Sequence, residues 1–95
     1  MTKYEIMYII RPNVEEDARK ALIEQLHNVF TQNNSSIVKV NEWGLRELAY
    51  EIDHLTKGYY VVLDVEATEE ARAEFDRVTR LNEDVIRYLI LKDVR

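Results

Sequence analysis

The feature that most limits what this chain can become is an extended run at its centre, Ile37 to Asp53. Beyond Gly44 the run alternates, with Leu48, Tyr50 and Ile52 on one face and Glu47, Ala49, Glu51 and Asp53 on the other. A period of two sends successive side chains to opposite sides of a strand, so one face is predicted to be buried. Gly44 interrupts the pattern. A lone glycine inside a strand marks a bulge or a bend more often than a break. The run therefore reads as one long bent strand, with Arg46 just beyond the bend.

Three more strands and two helices surround it. Lys3 to Ile10 sets Tyr4, Ile6, Tyr8 and Ile10 against Lys3, Glu5, Met7 and Ile9, and Arg11-Pro12 ends the strand because proline donates nothing to a sheet ladder. Asn13 reads as a helix N-cap with Glu16 three residues on, near the capping-box pattern. Ala18, Leu22, Leu26, Val29 and Phe30 then form an apolar stripe that runs to about Gln32, and Asn33-Asn34-Ser35-Ser36 is the turn out. After the long strand, His54-Leu55-Thr56-Lys57-Gly58 reads as a turn and Tyr59 to Glu66 as its hairpin partner. Tyr59, Val61, Leu63 and Val65 share one face of that strand, and Tyr60, Val62, Asp64 and Glu66 the other. Thr68 is a predicted N-cap for a helix with Ala71, Phe75 and Val78 inward and Leu81 beyond them, stopping at Asn82. In the last strand, Asp84 to Lys92, Ile86, Tyr88 and Ile90 alternate with Val85, Arg87, Leu89 and Leu91. The order β-α-β-β-α-β predicts an α+β, ferredoxin-like fold, a four-stranded antiparallel sheet with two helices on one face.

At 95 residues the chain makes one domain, 1–95, since two cores would each be too small to fold easily alone. It has no cysteine, so disulfides and thiolate metal sites are excluded. The apolar run Ile6 to Ile10 is too short for a signal peptide and nothing approaches a membrane span, so a cytoplasmic protein is the default expectation. With two histidines, no glycine-rich phosphate loop and no ligand cluster, neither an enzyme nor a metal or cofactor site is expected. His27 has Thr31 where a second ligand belongs, and it reads as a surface or boundary residue.

The net charge of -5 opposes broad attraction to phosphate. The charges are segregated, however. Glu15, Glu16, Asp17, Glu24, Glu69, Glu70, Glu74 and Asp76 lie on the predicted helices. Lys3, Arg11, Lys39, Arg46, Lys57, Arg87, Lys92 and Arg95 lie on strands or at their ends. From charge and position, Lys3, Arg46, Lys57, Arg87 and Lys92 are the candidate phosphate contacts. The sheet face without helices should be polar if it simply meets water. Instead it would carry Met7, Ile9, Val62 and Leu89, with Tyr60 among them, and contiguous apolar surface on a small domain marks a partner site. Those four and Trp43 are the candidate partner contacts. Trp43 sits at the bend, either as an interface anchor or as a core residue covering the sheet end. RNA recognition motifs use the same plan, but Lys57 to Asp64 departs from their consensus at Val61 and Asp64, where stacking aromatics belong. A second reading is a homodimeric sensor that pairs this face with a copy of itself around a small-ligand cleft.

One family gathers these features. Gly44, Arg46, Leu48, Ala49, Tyr50 and Ile52 resemble the signature of bacterial small-subunit ribosomal protein S-six (S6). Lys3-Tyr4-Glu5, Arg11-Pro12-Asn13, Lys57-Gly58-Tyr59-Tyr60 and the stretch from Val85 to Lys92 extend the likeness over essentially the whole chain. Asp53 departs from it, standing where a basic or amide residue is expected, and Arg95 is not followed by the acidic tail of some members. The resemblance implies a non-catalytic protein that binds the central domain of small-subunit ribosomal RNA together with ribosomal protein S-eighteen (S18), a small basic partner. Such a partner would supply much of the phosphate neutralisation that an acidic chain lacks.

Overall fold

A computed structural model describes residues 1–52 and 54–92; Asp53 and Arg95, both named above, lie outside the described residues. The elements are β1 (Thr2–Ile10), α1 (Glu16–Gln32), β2 (Ser36–Ile52), β3 (Leu55–Ala67), α2 (Glu69–Leu81) and β4 (Val85–Lys92). The strands pair in the order β2-β3-β1-β4, each pair antiparallel. This is the ferredoxin-like fold that the element order implies.

The core lies between one sheet face and both helices. Directly opposed residues of antiparallel strands share a face. Tyr4 opposes Val65, Ile6 opposes Leu63 and Tyr8 opposes Val61, and all six are buried. Leu22, Leu26 and Phe30 of α1 and Ala71 and Phe75 of α2 close the layer, with the Phe30 and Phe75 rings stacked 5.0 Å apart. Thr68 caps α2 as expected, its hydroxyl accepting the Ala71 N–H at 3.1 Å.

Several local expectations are corrected. Asn13 is not an N-cap. The helix begins at Glu16 after Glu15, whose side chain makes no capping bond, because Arg11 to Val14 first turn so that Val14 packs against the core. Ala18 is exposed; Arg19, three residues before Leu22, turns inward instead, its guanidinium 4.2 Å from the centre of the Tyr59 ring. In α2, Ala71, Phe75 and Val78 do pack inward, but buried Thr79 joins them where no apolar residue marks it, and Leu81 is exposed. In β4, Val85 opposes Ile10 and Arg87 opposes Ile9, so Ile86 is an extra residue. That irregularity puts Val85, rather than Ile86, on the core face with Tyr88 and Ile90.

The central strand is bent where Gly44 indicates. Glu42 opposes Val61 and Gly44 opposes Tyr60, which makes Trp43 the extra residue of a bulge, and Gly44 adopts a φ of 85° that favours glycine. Beyond it the hairpin is longer than the sequence suggests. β3 starts at Leu55, so Lys57 and Gly58 belong to the strand, opposite Glu47 and Arg46, and the chain reverses near His54 at a φ of 64°. This end of the hairpin outruns the layer beneath it, since β1 stops at Ile10 opposite Tyr59. With no helix above it, the face predicted to be buried is only partly so: Leu48 and Ile52 are half-buried, and Tyr50 is 58% exposed.

Candidate functional site

The helix-free face is built by register. Met7 of β1 opposes Val62 on one side and Leu89 on the other, and Ile9 opposes Tyr60 and Arg87. Met7, Trp43, Val62 and Leu89 line one shallow concavity of about 180 Å³ together with Leu91. Four of the five candidate partner contacts thus meet in one place. Leu91, half exposed, was not singled out from the sequence, although it stands two residues from Leu89 on the same strand face. Its signal was present in the alternation.

Trp43 belongs to this face and not to the core. Its ring stacks on Tyr60 at 6.0 Å and 13° between planes, and the Arg46 guanidinium lies 4.9 Å from its centre. Asn41 opposes Val62 on this face, so alternation sends the indole two residues on to the same side, and the bulge sets it beside Tyr60. An Arg–Trp–Tyr layer results, in which the ring faces attract the cation.

Ile9 corrects an expectation. It is 3% exposed, not an open-face residue available to a partner. Gly58 of β3 stands between Ile9 of β1 and Leu48 of β2 on this face, and both side chains close over the gap it leaves: a Cβ on Gly58 would stand 2.3 Å from Ile9 Cγ2 and 3.4 Å from Leu48 Cδ2. Past Ile9, Arg87 Nη1 donates to the Tyr50 hydroxyl and the guanidinium lies 5.3 Å from the Tyr50 ring centre. A second concavity of about 190 Å³ opens here, lined by Met7, Ile9, Leu48, Ile52, Tyr60 and Arg87 among others.

The five candidate phosphate contacts do not form one patch. Arg46 and Arg87 share the helix-free face, each stacked on an aromatic ring. Lys3 lies on that face at the other end of β1, 3.9 Å from Glu66. Lys57 opposes Glu47, one step from the Arg46–Gly58 pair, and so points away from Arg46. Lys92 opposes Tyr4 and therefore lies on the helix side, where its charge helps hold the Glu69 carboxyl below its ordinary range after the bonds from Arg72 and Tyr4.

The histidine of α1 has a structural place, as its boundary reading implies. His27 is half-buried with Nε2 3.0 Å from the Tyr8 hydroxyl. Burial lowers its pKa, opposed by the Glu42 carboxylate. The same burial, with Glu42 and Tyr59 adding to it, raises the Tyr8 phenol. Glu42 in turn accepts the Tyr59 hydroxyl at 3.0 Å. Among the described residues no helix is long and apolar enough to cross a membrane.

A ferredoxin-like domain whose open sheet face carries apolar concavities and arginine–aromatic stacks is a macromolecular recognition domain. The family model for ribosomal protein S6 matches residues 3–92, and the chain belongs to that family. It is similar to the 30S ribosomal protein S6 from Thermotoga maritima, at 30% identity and a TM-score of 0.91, over 97% of this chain and 87% of that one. Family membership makes it a structural, RNA-binding constituent of the small ribosomal subunit, with no catalytic role.

Proposed function

We propose that the protein binds the central domain of small-subunit ribosomal RNA jointly with ribosomal protein S18, supporting subunit assembly and translation on the cytoplasmic ribosome. The observation that carries this reading is the apolar helix-free face, where Met7, Trp43, Val62 and Leu89 converge. An acidic chain with such a face is suited to a basic protein partner, which neutralises phosphate while the face contributes burial. Lys3, Arg46, Lys57, Arg87 and Lys92 are the proposed phosphate contacts, Arg87 through the donors that its bond to Tyr50 leaves. They lie on both sides of the sheet, which suits RNA that passes along the domain edges while the protein partner occupies the face.

The test is a titration of the protein into labelled central-domain RNA, with and without S18, at two salt concentrations. Tight binding only in the presence of S18, weakening with salt as phosphate contacts require, is the expected result. Absence of binding in both arms, with S18 folded, overturns the proposal. Arg46→Ala is expected to weaken assembly and leave the fold intact, since Arg46 is exposed and touches only Trp43 among the ring and ion contacts of the described residues. Unchanged binding by that variant removes Arg46 from the site.

A further inference from the structure

Tyr50 and Arg87 touch, yet they belong to the two outermost strands of the sheet. β3 and β1 lie between them. With strands about 4.8 Å apart, β2 and β4 are separated by about 14 Å in the plane of the sheet. The two long side chains cover that distance by leaning toward each other over β3 and β1 on the helix-free face. Pairing between β2 and β3 is regular from Gly44 to Glu47 and then jumps to Ile52 opposite Leu55, so residues 48–51 have no regular partner. Ile9 opposes Tyr60, so Gly58 is its same-face diagonal neighbour on β3; buried Ile9 fills the space that the glycine leaves, and Leu48 approaches it from the other side.

We infer that the limbs 46–52 and 55–58 form a strap at the end of the hairpin, and that Arg87 is the positioning residue that latches it across the helix-free face through Tyr50. The strap forms one wall of the groove bounded by Ile9, Leu48, Ile52, Tyr60 and Arg87, and Met7 joins that groove to the concavity under Trp43. The groove is mostly apolar, its polar side-chain groups being the Arg87 guanidinium, the Tyr50 hydroxyl bonded to it and the Tyr60 hydroxyl. It takes an apolar side chain of the protein partner and not a phosphate. This deepens the proposed function and rests on it: the basic partner docks on the latched form, because in the unlatched form the groove lacks a wall. Arg87 would then serve partner binding through the strap, whatever its remaining donors do for RNA.

Tyr50→Phe tests the latch without changing any charge, and the side chain is exposed enough that the fold should survive. Hydrogen exchange on the isolated protein should accelerate about fivefold to tenfold at the ladder-bonded amides of the pairs between residues 46–47 and 57–58, the effect of one lost hydrogen bond on local opening. S18 affinity should fall by a similar factor, while the salt dependence of RNA binding stays as in the wild type. Arg87→Lys keeps the charge but loses the planar stack, and should behave like Tyr50→Phe. Unchanged exchange in both variants overturns the latch. Faster exchange with unchanged S18 affinity overturns its role in docking. If the wild type itself fails to bind S18, the proposed function fails along with the docking role, and the exchange data still decide the latch alone.

Discussion

Replacing Gly58 by alanine should destabilise the protein through a contact between neighbouring strands that glycine alone leaves room for. The new Cβ would stand 2.3 Å from Ile9 Cγ2 and 3.6 Å from the Ile10 carbonyl oxygen. Carbon atoms rest comfortably at about 3.5–4.0 Å, so Ile9 or the strap must move by about 1 Å or more. Ile9 cannot swing away cheaply, since it is buried and its methyl sits on a β-branched carbon. Overpacking of this kind costs about 1–3 kcal/mol. Alanine also restricts the unfolded chain, which returns about 0.4–1 kcal/mol where the backbone angles suit it. The net loss is then about 1–2 kcal/mol, or roughly 4 to 16 °C in Tm for a domain of this size. Equilibrium urea unfolding of the wild type, Gly58→Ala, Ile9→Ala and the double variant measures the coupling. Ile9→Ala should itself cost about 2–5 kcal/mol by leaving a cavity. In its background Gly58→Ala should cost less than about 0.5 kcal/mol, because the obstructing methyl is gone. A neutral or stabilising Gly58→Ala in the wild-type background would refute the close packing of Ile9 against Gly58.

Other perturbations probe the core and the helices. Thr79→Val should raise stability by about 1 kcal/mol in the same denaturant assay, since the Thr79 hydroxyl is buried with no hydrogen-bond partner among the described residues. A loss of stability would show that the hydroxyl is satisfied. Thr68→Ala should cost about 1 kcal/mol by leaving the Ala71 N–H without its cap, and an unchanged midpoint would dismiss the cap as a stabilising element. His27 has a folded-state pKa below its unfolded value, held down by burial. The unfolded chain therefore takes up the proton first. The stability His27 contributes is complete above about pH 6.5 and is lost as the pH falls from there through the folded-state pKa. His27→Gln should flatten the stability profile in that window, and parallel profiles for the two proteins would contradict the assignment.

The fold was legible because burial on the helix side leaves a periodic trace. Tyr4, Ile6, Tyr8 and Ile10 alternate, and so do Val61, Leu63 and Val65, while Leu22, Leu26 and Phe30 step by four. Each repeat is set by the element's own geometry, so a single segment reveals it. Thr68 and Asn82 were readable as the ends of α2 for the same reason, since a cap acts within a few residues. Asn13 misled because Val14, drawn into the core, delays the start of α1. The site was legible in part. Alternation placed Met7, Val62 and Leu89 on one face, and Gly44 announced the bulge beside Trp43. The basic residues were identifiable as exposed cations, but charge has no period, and nothing local separates Arg46 from Lys57 by face.

By itself, then, the sequence determined the element order, the inward faces of the regular elements, the bend at Gly44 and the family, all properties of contiguous residues. Tertiary structure decided what depends on residues far apart in the chain. It buried Ile9 beneath Leu48 and Gly58, extended the hairpin beyond β1, shifted the register at Ile86, and brought Tyr50 across two strands to Arg87. Alternation says which side of a strand a residue faces. Whether that side meets water, a helix or side chains reaching over from other strands depends on where other segments end, and no local period encodes that.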